Sequence, residues 1–174
     1  YMGWKAAIQM FVGIIRVPVH TYSRPSRRFP DKIGQLPGRR YFPVRAGKPS
    51  LMVAIDTSWS MTPAELVAIA RQLVHLSDLA RITVVECDVK VQRVYPFVGT
   101  IENVVGRGGT DLRPVFEPGF IRQHRPDGII YFTDGLGPFP REFPGVKTLW
   151  VLSKPWDCPC NWGKRALLSH PITR

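Results

Sequence analysis

Two apolar runs in this chain each stop at an aspartate: "LMVAID", closing at Asp56, and "IIYFTD", closing at Asp134. A strand with one face in water alternates apolar and polar residues, whereas a strand covered on both faces carries a continuous run. Such runs alternating with helical sequence predict a sheet held between two helical layers. Between them, "TPAE" is a helix start: Thr62 can cap, Pro63 suits the first helical position and Glu65 completes a capping box, with the helix running to about residue 77. "ARITVVEC" and "KVQRVYPFV" are strands separated only by Asp88 and Val89, which predicts a tight antiparallel hairpin. "DLRPVFEPGFIRQH" reads as helix broken at proline, "VKTLWVLS" as a further buried strand and "KRALLS" as a weaker one. The expected fold class is α/β: a Rossmann-like, doubly wound, mostly parallel sheet with one antiparallel edge hairpin.

The pattern changes character at Ser50. Residues 1–49 read as a helix over about 3–16 followed by a basic Pro/Arg-rich arm that wraps the domain, and residues 50–174 as the domain itself. A content of 44% hydrophobic residues argues for a packed core rather than disorder. No apolar run approaches the roughly 18 to 20 residues of a membrane span. Three cysteines, Cys87, Cys158 and Cys160, are too few for a disulfide framework, so a reducing cytoplasmic setting is expected. The CxC spacing of Cys158 and Cys160 is too tight for the common zinc knuckle. The chain opens on Tyr1 rather than methionine, which leaves a preceding segment open.

Lys and Arg number 24 against 13 Asp and Glu, a formal net charge of +11. Much of the excess lies in the arm, where Arg24, Arg27, Arg28, Arg39, Arg40 and Arg45 face only Asp31. Such a segment can bind nucleic acid through phosphates. It can equally lie extended on a protein surface, its arginines paired to carboxylates. No recognition helix or base-stacking motif accompanies it, so the nucleic-acid reading rests on charge alone.

In open α/β sheets ligands bind beyond the carboxyl ends of the strands. Asp56 and Asp134 sit at that edge, and "GRGGTD" between them in sequence offers Thr110 and Asp111. The stretch "DTSWS" places Asp56, Ser58 and Ser60 at alternate positions, so that a turn can aim all three at one point. Convergence of these loops would assemble hydroxyls from Ser58, Ser60 and Thr110 with two or three carboxylates. Oxygen-only donors favour a hard cation, Mg²⁺ first, with Mn²⁺ or Ca²⁺ as alternatives. A DxSxS match alone is weak, because Asp or Ser after a strand is often a helix cap. The order of the three stretches, each in its expected structural context, is what strengthens it.

Together "VAIDTSWSM", "GRGGTDLRP" and "IIYFTDG" resemble the three loops of a von Willebrand factor type A (VWA) domain with its metal-ion-dependent adhesion site, over about residues 51–153. The resemblance implies that Ser58, Ser60 and Thr110 ligate the metal while Asp56 and Asp134 act directly or through water. "TYSRPSRR" and "GVKTLWVL" narrow the likeness to bacterial VWA-like proteins often encoded beside MoxR-type AAA+ ATPases. In that group the domain commonly follows a metallopeptidase-like domain, which this sequence lacks. Trp59 departs from the pattern, since glycine is frequent at its position. The implied function is docking: a metal ligated by neutral hydroxyls keeps its positive charge and takes an Asp or Glu from a protein partner, a MoxR-type ATPase being one candidate. Trp59, Met61, Asp111 and Phe139, the last in the loop "LGPFPREFP", would frame that face. For Trp59, packing against a neighbouring loop fits equally well.

Catalysis is the competing class. The sequence has no GxSxG elbow, no HExxH and no phosphate-loop Lys-Ser/Thr, and His20, His75, His124 and His170 are scattered. A metal flanked by aspartates can activate water against phosphate esters, but no general base is recognisable. The expectation is a binding module rather than an enzyme.

Overall fold

The computed structural model describes residues 3–15, 28–31, 35, 48–58, 62–101, 108–153 and 160–168, and the backbone path of 18–25 and 37–41. Helix α1 (Trp4–Ile15) is followed by β1 (Pro18–Pro25), β2 (Pro37–Tyr41), β3 (Ser50–Asp56), α2 (Pro63–Ser77), β4 (Arg81–Cys87) and β5 (Val91–Pro96). A short 3-10 turn (Pro114–Phe116) then leads into α3 (Pro118–His124), β6 (Gly128–Thr133), β7 (Lys147–Leu152) and β8 (Lys164–Leu167). The main sheet has six strands in the order β5-β4-β3-β6-β7-β8. All pairs are parallel except β4 with β5, the edge hairpin. The weakest of the predicted strands, β8, forms the opposite edge and pairs in parallel with β7.

The continuous apolar runs do what their pattern requires. In β3, Leu51, Val53 and Ile55 face one core with α1 and α2, while Met52 and Ala54 face another with Val115 and Phe116. On the first face α1 presents Trp4, Ile8, Phe11 and Ile15, spaced to share one side of a helix, and α2 presents Ile69, Leu73 and Leu76. The second face carries the 3-10 turn and the short α3 together with Leu112, Cys160 and Trp162, and aromatic rings supply much of its depth. Tyr131 and Trp150 stack at 5.4 Å, and Phe116 lies 5.9 Å from Tyr131 and 5.5 Å from Trp150. Each such fully buried side chain contributes about 1.5–3 kcal/mol through removal of its apolar surface from water.

Helix α2 opens on the predicted capping box: Glu65 N donates to Thr62 Oγ1 at 3.3 Å and Thr62 N donates to Glu65 Oε2 at 2.7 Å. The predicted break in the helical stretch after Asp111 falls at Glu117–Pro118, where the 3-10 turn gives way to α3.

The basic arm differs from the expectation of a simple extended chain. β1 and β2 pair antiparallel as a separate two-stranded sheet, with Val19 opposite Arg40 and His20 opposite Arg39. Val19, Thr21, Tyr22 and Tyr41 favour strand, and the prolines sit at strand ends where a missing N–H costs nothing. Arg24 thus lies on β1, Arg39 and Arg40 lie on β2, and Arg28 is exposed between the strands. Arg27 and Arg45 lie outside the described residues. No helix among the described residues is long and apolar enough to cross a membrane.

From β3 the chain passes through α2 to β4 on one side, and it later returns to place β6 on the other side of β3. The crevice between the carboxyl ends of β3 and β6 is therefore the switch in strand order, where an open α/β sheet leaves room for a ligand.

Candidate metal centre

Asp56 closes β3 with its side chain fully buried, 0% exposed. Its Oδ2 accepts a hydrogen bond from Thr133 Oγ1 at 2.7 Å, across the junction with β6. Its Oδ1 accepts from Ser58 N at 3.0 Å and from Ser58 Oγ at 2.5 Å. These bonds fold the chain after β3 back on itself and aim the Ser58 hydroxyl outward, where it is hydrogen-bonded to Thr110 Oγ1. Asp56, Ser58 and Thr110, separated by up to 54 residues (110 − 56), thus meet at the switch point. Asp134 follows β6 directly and is half-buried; its Oδ1 accepts from Leu136 N at 3.0 Å, which fixes the start of the next loop. Ser60, Trp59 and Met61 lie outside the described residues.

Burial pushes the Asp56 carboxyl above the usual carboxylate range, against the opposing effect of hydrogen bonds from Ser58 and Thr133, and the nearby Asp134 pushes it further up. Among the described residues no Lys or Arg pairs with Asp56. A buried carboxylate without a cationic partner, faced by two hydroxyl oxygens, is a donor set that a hard cation fits. Cys87 stands opposite Asp56 in the β3–β4 register, yet burial pushes its thiol up to about 12, so it carries no thiolate at neutral pH. Among the described residues no three His, Cys, Asp or Glu side chains gather into a cluster, so the candidate centre is a mixed site of hydroxyls and carboxylates. The neutral hydroxyls would leave much of the cation's charge exposed.

The loop carrying Thr110 is held on both sides. Asp111 N donates to Asp88 O at 2.9 Å, and Leu112 N donates to Pro138 O at 2.8 Å. Asp88 is itself buried; its carboxylate accepts from Gln92 Nε2 at 2.8 Å and from Lys90 N at 3.1 Å. Burial pushes the Asp88 carboxyl up, but these hydrogen bonds together with backbone N–H groups of Val89 and Gly108 hold it below the usual range. Sequence pattern did not mark Asp88 or Thr133. The available signal for Thr133 was its place at the end of the strand beside Asp56, which only the β3–β6 pairing reveals.

Of the side chains expected to frame the site, Phe139 is 39% exposed, and Leu136 and Phe143 in the same loop are 52% and 55% exposed. The loop is anchored from behind, where Trp162 Nε1 donates to Pro140 O at 3.1 Å and Phe143 meets Trp162 edge-on at 5.7 Å. Asp111 turns its carboxylate to the exposed Arg113, whose Nη2 lies 2.7 Å away and holds that carboxyl below the usual range. Cys160 is buried with its Sγ 3.7 Å from Pro140 O, and Cys158 lies outside the described residues.

A search of the curated proteins finds no match to this chain. A family model described as a VWA-like domain (DUF2201) matches residues 51–169, a span that runs from the second residue of β3 past the end of β8 and holds every candidate metal-site residue. The chain belongs to this family of VWA-like domains.

Proposed function

We propose that this VWA-like domain is a metal-dependent docking module that captures an acidic side chain of a protein partner. The observation that carries the reading is the meeting of Asp56, Ser58 and Thr110 at the β3–β6 switch point. Ser58, Ser60 and Thr110, with Asp56 and Asp134 directly or through water, would hold Mg²⁺ or Mn²⁺. A bound cation would offer a positive point for a partner's Asp or Glu.

The chain's own residues do the rest. Thr133 fixes the rotamer of Asp56, and Asp56 accepts a hydrogen bond from the Ser58 hydroxyl so that the serine oxygen keeps lone pairs facing the site. Leu136 and Phe139 supply apolar surface beside Asp134, a suitable rim for excluding water from a charged contact. A MoxR-type AAA+ ATPase remains the candidate partner, on the likeness of "TYSRPSRR" and "GVKTLWVL". Binding rather than catalysis is the reading adopted because the sequence carries no GxSxG elbow, no HExxH and no phosphate-loop Lys-Ser/Thr.

A second reading, nucleic-acid binding, draws on the formal charge of +11 and on the adjacent Arg39 and Arg40 of β2. It demands affinity that falls steeply with salt.

Partner capture from lysate with and without EDTA tests the docking reading, using wild type and Asp134→Ala. Capture lost both on chelation and in the variant supports it. Identical captured sets under all conditions refute it.

A further inference from the structure

We infer that Gly137 is a positioning residue for Thr110: its missing side chain is the seat that lets the Thr110 hydroxyl reach Ser58. The inference rests on the metal-site reading above and extends it to a loop that supplies no direct ligand beyond Asp134. Gly137 has φ +130, a region that side-chain-bearing L-residues rarely adopt. A Cβ at that position would lie 2.8 Å from Thr110 O and 2.9 Å from both Thr110 Cβ and Cγ2. Two of these contacts are with atoms on or next to the backbone, so rotation of one flexible side chain cannot relieve them. The neighbouring Pro138 O accepts from Leu112 N at 2.8 Å, which ties the loop after β6 to the loop carrying Thr110. Asp134 begins the same loop and is fixed by Leu136 N at 3.0 Å. One short segment thus sets both Asp134 and the height of Thr110 over the site.

Gly145 separates this seat from backbone strain. It also has positive φ, +81, yet a Cβ there would meet nothing within 4 Å. Gly145→Ala therefore reports strain alone, and Gly137→Ala reports strain plus displacement of Thr110.

The test uses Mn²⁺ binding followed by electron paramagnetic resonance, together with the amide resonance of Thr110 in metal-free protein. Gly137→Ala should weaken Mn²⁺ binding by about 10–100-fold, the range for groups that support a metal ligand, and should shift the Thr110 resonance. Gly145→Ala should lower the melting temperature but bind Mn²⁺ as wild type does, with Thr110 unmoved. Wild-type affinity with an unshifted Thr110 resonance in Gly137→Ala would overturn the inference, as would equal losses in both glycine variants. Should Gly137→Ala not fold, Thr110→Ser decides: it keeps the hydroxyl but removes the Cγ2 that packs on Gly137, so Mn²⁺ affinity should fall, and an unchanged affinity overturns the seat. Failure of wild type to bind Mn²⁺ would sink the metal reading instead, while the Thr110 resonance in Gly137→Ala would still decide the seat.

Discussion

Thr133 donates its hydroxyl to Asp56 at 2.7 Å across two adjacent parallel strands, and so joins the ends of β3 and β6 at the base of the candidate metal centre. The same Thr133 oxygen accepts from Gly135 N at 3.0 Å, and its single proton goes to Asp56. Thr133→Val keeps the shape and removes that donor. The buried Asp56 Oδ2 then loses its Thr133 donor, and the carboxylate is held only from the Ser58 side. Calorimetric titration with Mn²⁺ should show affinity lower by about tenfold, with the fold intact by circular dichroism.

Asp56 is a buried anion, so in metal-free protein its charge opposes folding. Asp56→Asn removes the charge and conserves volume. Thermal unfolding in EDTA should show the variant melting about 2–4 °C higher, the shift expected of roughly 1 kcal/mol in a domain of this size. Added Mg²⁺ should not raise it further. A lower melting temperature for the variant in EDTA would mean that the hydrogen bonds to Asp56 outweigh its desolvation.

Asp88 behaves oppositely. Its carboxyl lies below the usual range in the folded protein, so the ionised form is favoured by folding. That stabilisation is fully present above the ordinary carboxylate pKa of about 3.9 and is lost as pH falls through the lower folded value. Asp88→Asn should cost about 1–3 kcal/mol at neutral pH in urea unfolding. It should also flatten the acid limb of stability against pH. An unchanged acid limb would assign the pH dependence to other carboxylates.

Glu86 is fully buried on β4 and receives Arg93 Nη2 at 2.7 Å, Arg93 Nε at 2.8 Å and Tyr95 Oη at 2.9 Å from the edge strand β5. Arg93→Met leaves that charge without its strongest donor. Unfolding should show a loss of about 3 kcal/mol, the cost of breaking a buried pair from one side. Glu86→Gln with Arg93→Met should recover part of it. Thr62→Ala, by contrast, should cost only about 1 kcal/mol through the lost helix cap.

These residues mark how far the sequence could be read. The capping box at Thr62 and Glu65, the β4–β5 hairpin and the break before Pro118 were legible because each depends on neighbours within a few positions. The apolar runs of β3 and β6 were legible because burial on both faces leaves no alternation. Asp56, Ser58 and Thr110 were nameable because each lies in a short motif at a strand end or a glycine-rich loop. Thr133 and Gly137 were not, because their roles arise only when segments distant in sequence are brought together, and Asp88 and the Glu86–Arg93 pair were not, because the presence of a hairpin does not tell which of its side chains meet. The β1–β2 pairing escaped for a different reason: prolines and arginines dilute the strand pattern of both segments.

The most direct measurement is the melting temperature as a function of Mg²⁺ concentration for wild type, Ser58→Ala and Thr110→Val. A ligand bound only to the folded state stabilises by about 2.7 kcal/mol at one hundred times its Kd. Wild type should therefore melt progressively higher as Mg²⁺ rises through the millimolar range, and both variants should give a flat response. A wild type indifferent to Mg²⁺, or variants that shift as much as wild type does, would contradict a metal held by the Ser58 and Thr110 hydroxyls.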